Sequence, residues 1–404
     1  MTTNNRKVAE TEIRQTLNIS NIFMRMNGLS FIDKPPRNFV EKLKVHLKFV
    51  VASSLLFWML VGEIAFTASL LAGSVSVEEL IKGYVHIAGY DTMSFGKLIM
   101  VRYQNHAFQR LVSELPDIWP GPGVDEASAA IKRSSLQALR IMQIFYMCWN
   151  VFGVWMYNLT PVALHLYHII QGESSNLGYI WHLYYPFDQT QVVVHGFVFI
   201  FEMFGGLSSV NAMLSADILF ITMASHISML LRILQVKIRR IGTEHEQDMQ
   251  DNYDQIVDVI KIHQRLISYG NDLEQAFTMV NLLNVLLSSV NICCVVFSIV
   301  FLEPVMEMSN KLFIGAALTQ MGVVCWYADN IYRASVGVAD AVYESGWYRC
   351  DPRSRRALLV MLQRSQRPLY FTALKFRSIT MMTFSSILTT AYSYFTLLYT
   401  SYSS

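Results

Sequence analysis

Charge is scarce in this chain. Of its 404 residues, 15% are Asp, Glu, Lys or Arg and 53% are hydrophobic. Soluble domains carry about one quarter charged residues, so the composition excludes an ordinary soluble globule and indicates a polytopic membrane protein, for which a helix bundle is the simple architecture. Cysteine is also sparse. Cys148, Cys293, Cys294, Cys325 and Cys350 all fall in segments read as membrane or inner-side, so no structural disulfide is expected. No Cys/His cluster has metal-ligand spacing, and there is no Gly-rich phosphate loop or nucleophile elbow. No enzyme, resident cofactor or nucleic-acid partner is therefore expected. The first 44 residues are polar and contain no apolar core of a signal peptide.

What is present is a series of apolar runs. Residues 1–44 read as a cytosolic N-terminal segment. Spans follow at roughly 47–71, 81–101, 137–164, 191–228, 276–302 and 311–333. The second is the weakest by hydropathy, because Lys82, Asp91 and Lys97 lie in or beside it. Grouped coarsely, residues 45–333 form six transmembrane helices, 334–378 a basic cytosolic region and 379–404 a seventh helix. The reading is all-α throughout. Twenty-seven of the 32 Lys and Arg lie in 1–44, 102–136, 232–266 and 332–378. The positive-inside rule then puts the N-terminus in the cytosol, and seven spans put the C-terminus outside. Glu63, Asp91, Glu202 and Asp217 are costly in lipid and should face the bundle beside polar neighbours.

The last span has a pattern of its own. Ser378 to Ser404 contains no charged residue and is long enough to cross a hydrocarbon core of about 30 Å. Ser386, Thr390, Ser393, Leu397 and Thr400 recur at spacings of 4, 3, 4 and 3, one face of a helix. A hydroxyl stripe interrupted by one aliphatic side chain suits the lining of an ion pore. The plainer alternative is that these hydroxyls permit close helix packing or bond the carbonyl one turn back.

A further pattern begins at Tyr343-Glu344-Ser345-Gly346-Trp347-Tyr348. It continues through Arg355, Leu358-Leu359 and Met361-Leu362 to Gln363-Arg364-Ser365-Gln366-Arg367-Pro368-Leu369, then Ala373, and ends at Ala391-Tyr392-Ser393-Tyr394-Phe395. Its order and spacing closely resemble the insect odorant receptor family, and Asp217-x-Leu219-Phe220 in the fourth span agrees. The short segment between the fourth and fifth spans resembles a ligand-tuned receptor rather than the family's co-receptor, which carries a long insertion there. The resemblance implies a subunit of a ligand-gated, non-selective cation channel in the plasma membrane of olfactory dendrites. Its partners would be the olfactory co-receptor, in a heteromeric tetramer, and a small volatile odorant, within the membrane lipid. It also implies that Leu397 is the gate position and Thr400 the outer polar position.

An odorant would occupy the outer half of the bundle. The expected ligand face takes Tyr84, Ile87 and Tyr90 from the second span and Asn150, Gly153 and Tyr157 from the third. Phe201, Phe204 and Ser208 come from the fourth, and Phe313, Ala317 and Gln320 from the sixth. Such a set suits a small, mostly apolar volatile bound by shape and dispersion with one or two hydrogen bonds. A metabotropic seven-helix receptor signalling through G proteins is the competing reading. A transporter lacks the expected repeats and broken helices. Asn158-Leu159-Thr160 is a formal glycosylation sequon near the outer face.

Overall fold

A computed structural model describes residues 3–32, 38–73, 85–121, 123–172, 176–181, 183–242, 249–301 and 304–403. Within these the chain is nearly all helical. The helices are α1 (Thr3–Met26), α2 (Phe39–Ala72), α3 (Val85–Tyr103), α4 (Asn105–Ile118), α5 (Glu126–Ile170), α6 (Val192–Arg239), α7 (Met249–Phe301), α8 (Pro304–Glu344), α9 (Pro352–Ser365) and α10 (Met381–Ser403). Four segments among the described residues are long and apolar enough to cross a membrane: Phe39–Ala72, Val192–Arg239, Tyr253–Val296 and Lys311–Glu344.

Helix α6 is the axis of the bundle. From Ser209 to Leu231 every residue is buried, and α1, α2, α3, α5, α7 and α8 all pack on it. A helix that is apolar on all sides and rich in Ala, Gly and Ser can bury its whole circumference, because small residues let neighbouring backbones approach.

The polar head expected over residues 1–44 contains an amphipathic helix. In α1, Ala9, Ile13, Leu17, Ser20 and Met24 form a buried stripe at spacings of 4, 4, 3 and 4. The stripe lies along α6, where the Ser20 hydroxyl donates to the Ser215 carbonyl at 3.3 Å and the Asn211 amide donates to Asn27 Oδ1 at 2.6 Å. Burying that stripe against α6 stabilises a helix that its polar composition alone would not.

The all-α expectation needs one correction. A two-stranded antiparallel hairpin, β1 (Thr372–Ala373) with β2 (Arg377–Ser378), joins α9 to α10. Leu374 and Lys375 turn the chain at φ of 49° and 61°, and the backbone N–H of Leu374 donates to Thr278 Oγ1 at 3.0 Å. Strands of two residues leave no period-2 signature in a sequence. At the same end, Asp351 caps α9 by accepting from the backbone N–H groups of Arg353 and Ser354, with Pro352 in the first turn. Gly242, at φ 71°, meets the backbone of Gly346 so closely that a Cβ would lie 2.3 Å from the Gly346 carbonyl oxygen. No other residue fits there.

The acidic side chains within the bundle point inward. Lys97 Nζ contacts both carboxylate oxygens of Asp217, at 2.7 and 2.9 Å, and the Tyr146 hydroxyl donates to Oδ2 at 2.9 Å. The Ser209 hydroxyl donates to Asp91 Oδ1 at 2.6 Å. Glu202 accepts from the backbone N–H groups of Ile180 and Trp181, at 2.7 and 3.2 Å, and from the Tyr185 hydroxyl at 3.2 Å. Glu63 is buried beside Asp91, so all four acids face the bundle with polar neighbours.

Candidate functional site

Two adjoining narrow cavities lie inside the bundle, a smaller one between α3, α5, α6, α7 and α8 and a larger one between α3, α5, α6 and α8. Helix α5 supplies Asn150, Gly153 and Tyr157, which its 3.6-residue period stacks along one wall. A Cβ added at Gly153 would meet nothing within 4 Å, so the glycine is a gap in that wall. The ring of Tyr90 from α3 meets Phe313 from α8 edge-on at 5.4 Å, joining the opposite walls. Ala317 and Gln320 continue the α8 face, and the Gln320 amide donates to Asn284 Oδ1 on α7 at 3.2 Å.

The segment before α6 covers the larger cavity. Trp181 lines it, packs at 5.2 Å on Tyr157 and lies over Gly206. Its backbone is held by Glu202. That carboxylate takes two backbone donors that a loop packed on a helix bundle would otherwise leave unsatisfied.

The structure thus brings together Tyr90, Asn150, Gly153, Tyr157, Phe313, Ala317 and Gln320. Of the other five expected residues, four lie elsewhere. Tyr84 is outside the described residues. Ile87 is buried in a separate cluster with Met59, Ile180, Trp181 and Leu183, and Phe201 packs against that cluster. Phe204 is 57% exposed on the outer face of α6, and half-buried Ser208 shares its side. The spacing of Phe201, Phe204 and Ser208 is helical, but α6 turns Gly205, Gly206, Ser209, Val210 and Met213 inward. Small residues face protein and the bulky aromatic faces out. Sequence reasoning missed Ser288 and Asn291 of α7, Val210 and Met213 of α6, and Trp181. For α7 a signal existed, because Asn281, Asn284, Ser288 and Asn291 recur at spacings of 3, 4 and 3 within a charge-free run.

On α10 the structure reports both sides of the hydroxyl pattern. Ser393, Leu397 and Thr400 are exposed in the single chain, while Ser386 and Thr390 are half-buried. Thr390 donates to the Ser386 carbonyl at 2.8 Å, Ser393 to Thr389 at 2.9 Å, and Thr400 to Thr396 at 2.9 Å. These hydroxyls turn back onto their own helix and leave their oxygen lone pairs outward. The Arg377 guanidinium donates to Ser386 Oγ at 2.5 Å. Asn158 is buried, and its amide donates to the Met203 carbonyl at 3.3 Å, so the folded chain offers no access to that sequon.

The cavity with its aromatic walls thus lies inside a bundle that has four helices long and apolar enough to cross a membrane among the described residues. The profile described as 7tm odorant receptor matches residues 76–392, and the chain belongs to that family, a family of chemoreceptors. It is 26% identical to odorant receptor 85b of Drosophila melanogaster over 319 residues, spanning 78% of this chain and 80% of that receptor. It is 25% identical to odorant receptor 85c of the same insect over 368 residues, spanning 87% and 92%. The fold is shared with the insect olfactory receptor OR5 from Machilis hrabei, at a TM-score of 0.83, 16% identity and coverage of 96% and 98%. The structure of that receptor in complex with eugenol matches with the same TM-score, at 15% identity and coverage of 97% and 99%.

Proposed function

We propose that this chain is the ligand-tuned subunit of an odorant-gated, non-selective cation channel. The observation that carries the proposal is the interior cavity walled by Tyr90, Asn150, Gly153, Tyr157 and Phe313. Its aromatic, mostly apolar wall suits a small volatile held by dispersion and one or two hydrogen bonds. Eugenol, bound by the similarly folded OR5, is a compound of that kind.

In this reading α2, α3, α5, α6, α7, α8 and α10 cross the plasma membrane of an olfactory dendrite. The N-terminus lies in the cytosol and the C-terminus outside, in keeping with the placement of Lys and Arg. Residues 334–378 form the cytosolic region where subunits meet. The pore-facing side of α10 carries Ser386, Thr390, Ser393, Leu397 and Thr400, with Leu397 as the apolar constriction. The exposure of Ser393, Leu397 and Thr400 in the isolated chain supports that assignment, since a pore exists only when several copies of α10 surround one axis. The other subunits are the olfactory co-receptor in a heteromeric tetramer.

The test is whole-cell current in a non-olfactory cell, with G-protein signalling blocked and a panel of small aromatic volatiles applied. A rapid inward cation current in cells expressing this chain with the co-receptor, above that of the co-receptor alone, is the expected result. Silence under the block, with a slow response once it is lifted, would replace the channel reading by a metabotropic one.

A further inference from the structure

Helix α7 presents a polar face to the cavity. Asn281, Asn284, Ser288 and Asn291 are each at most 2% exposed and share one side of the helix. Polar atoms at such depth are costly unless hydrogen-bonded. Asn284 has Gln320 as its donor. Ser288 Oγ and Asn291 Oδ1 have no hydrogen-bond partner among the described residues. For a helical serine this is unusual, because its hydroxyl ordinarily bonds a carbonyl of the preceding turn, as neighbouring Ser289 does with Leu286 at 2.8 Å. Both residues line the smaller of the two adjoining cavities. Asn291 stands there because α3 offers a glycine. A Cβ at Gly89 would lie 2.0 Å from Asn291 Oδ1.

We infer that Ser288 and Asn291 form a hydroxyl-recognition subsite of the ligand cavity, taking an alcohol or phenol. The ligand O–H donates to Asn291 Oδ1, and the ligand oxygen accepts from the Ser288 O–H. The two side chains are one turn apart, with Cβ atoms about 5–6 Å from each other, a separation that one hydroxyl group bridges. An ether or ester of the same shape can accept from Ser288 but leaves Asn291 Oδ1 bare, and a hydrocarbon leaves both bare. Tyr90, Met93 and Phe313 supply the apolar remainder of the wall, so discrimination by functional group falls on α7. The inference rests on the reading of this cavity as the odorant site.

The experiment compares 2-phenylethanol, its methyl ether and propylbenzene by concentration for half-maximal current, in cells expressing the chain with the co-receptor. The alcohol is expected to be more potent than the ether by about tenfold, the effect of one to two net hydrogen bonds. In the Ser288→Ala/Asn291→Leu double variant that ratio should fall to within about twofold, and the response to propylbenzene, which bonds neither side chain, reports an intact channel. If the double variant is not expressed at the surface, Asn291→Ala alone should still narrow the ratio by about threefold, because the ligand O–H then has no acceptor. Equal potency of alcohol and ether on the unmodified chain, as expected if only an ordered water occupies the subsite, overturns the inference. So does a ratio unchanged by the substitutions. A chain that answers volatiles without regard to the hydroxyl removes this inference alone. A chain that answers none, while the co-receptor still responds to its own agonist, removes the odorant-site reading with it.

Discussion

The ammonium of Lys97 lies 2.7 Å from Oδ1 and 2.9 Å from Oδ2 of Asp217, both side chains sealed inside the bundle. The pair ties α3 to the central helix α6, and the Tyr146 hydroxyl adds α5 as a third element. Removing one member of a buried pair strands the other charge, at a cost of about 3–5 kcal/mol. Lys97→Met should therefore lower the thermal stability of the purified protein and its surface level sharply. Lys97→Met combined with Asp217→Leu, which strands neither charge, should recover most of that loss. Melting curves of the two variants in detergent decide the matter, and equal losses for both would mean that the pair does not act as a unit.

Gly153 offers a cleaner probe of the cavity. Since a Cβ there meets nothing within 4 Å, Gly153→Ala should leave stability unchanged or slightly raised, because alanine is the better helix former by about 1 kcal/mol. Gly153→Leu projects a bulky side chain into the space a ligand would use. Its dose-response curves should shift to higher concentration by tenfold or more for the larger volatiles, with the melting temperature preserved. An unshifted curve would place the ligand elsewhere.

Glu202 holds the cover of the cavity in place. It accepts from the backbone N–H groups of Ile180 and Trp181, so Glu202→Leu leaves both donors buried without an acceptor, about 1–3 kcal/mol each. Hydrogen exchange at those two amides should accelerate by at least tenfold, while amides in the middle of α6 stay protected. Uniform acceleration across the chain would indicate global loosening instead.

These three sites were not equally legible in the sequence. The trio on α5 could be read from spacing, because a helix with one polar-aromatic face announces its phase. Helix α6 does not. Buried on all sides from Ser209 to Leu231, it has no amphipathic stripe to orient it, and the aromatic residues chosen for the cavity, Phe201 and Phe204, lie outside its wall. The polar stripe on α7 is carried by Asn and Ser alone, in a run with no charge to mark its inward face. Lys97 and Asp91 made the second span look weak by hydropathy, although their partners Asp217 and Ser209 sit 120 and 118 residues away, a distance over which periodicity carries no information. Helix α1 was hidden by the charges on its outer face, and the hairpin at Thr372–Ser378 by its brevity.

The charged part of α7 that precedes its charge-free run carries a pH dependence of its own. His263, on the part of α7 read as cytosolic, is 4% exposed, and burial, with the nearby Arg364 guanidinium, pushes its imidazole down to about 4 from an ordinary 6.5. The folded state thus holds the neutral ring where the unfolded chain would take up a proton. The stabilisation from the neutral ring is complete above pH 6.5, declines as pH falls through the window from 6.5 to 4, and is lost below it. At most the effect reaches about 3 kcal/mol, with a slope of about 1.4 kcal/mol per pH unit. His263→Gln, which cannot titrate, should flatten the fall of melting temperature between pH 6.5 and 4.5 relative to the unmodified protein. Parallel curves for the two proteins would remove His263 from the acid sensitivity.

Leu397 is 64% exposed in the isolated chain, on the face of α10 that also carries Ser393 and Thr400. If copies of α10 meet around an axis, that side chain narrows the path and closes it by excluding water. Leu397→Ala widens the ring by the loss of three carbons from this subunit and lowers the cost of wetting. Cells expressing the variant with the co-receptor should show a standing cation current in the absence of ligand, at least severalfold above that of the unmodified pair. Evoked current should be retained, because the cavity lies on other helices. If instead Leu397 packs against lipid, truncation leaves resting and evoked currents unchanged, and Leu397 is then not the gate. Thr400→Ala separates the two cases further. Its hydroxyl turns back to the Thr396 and Leu397 carbonyls, so its removal frees those carbonyls toward any pore and should alter the relative permeability of monovalent cations without raising the resting current.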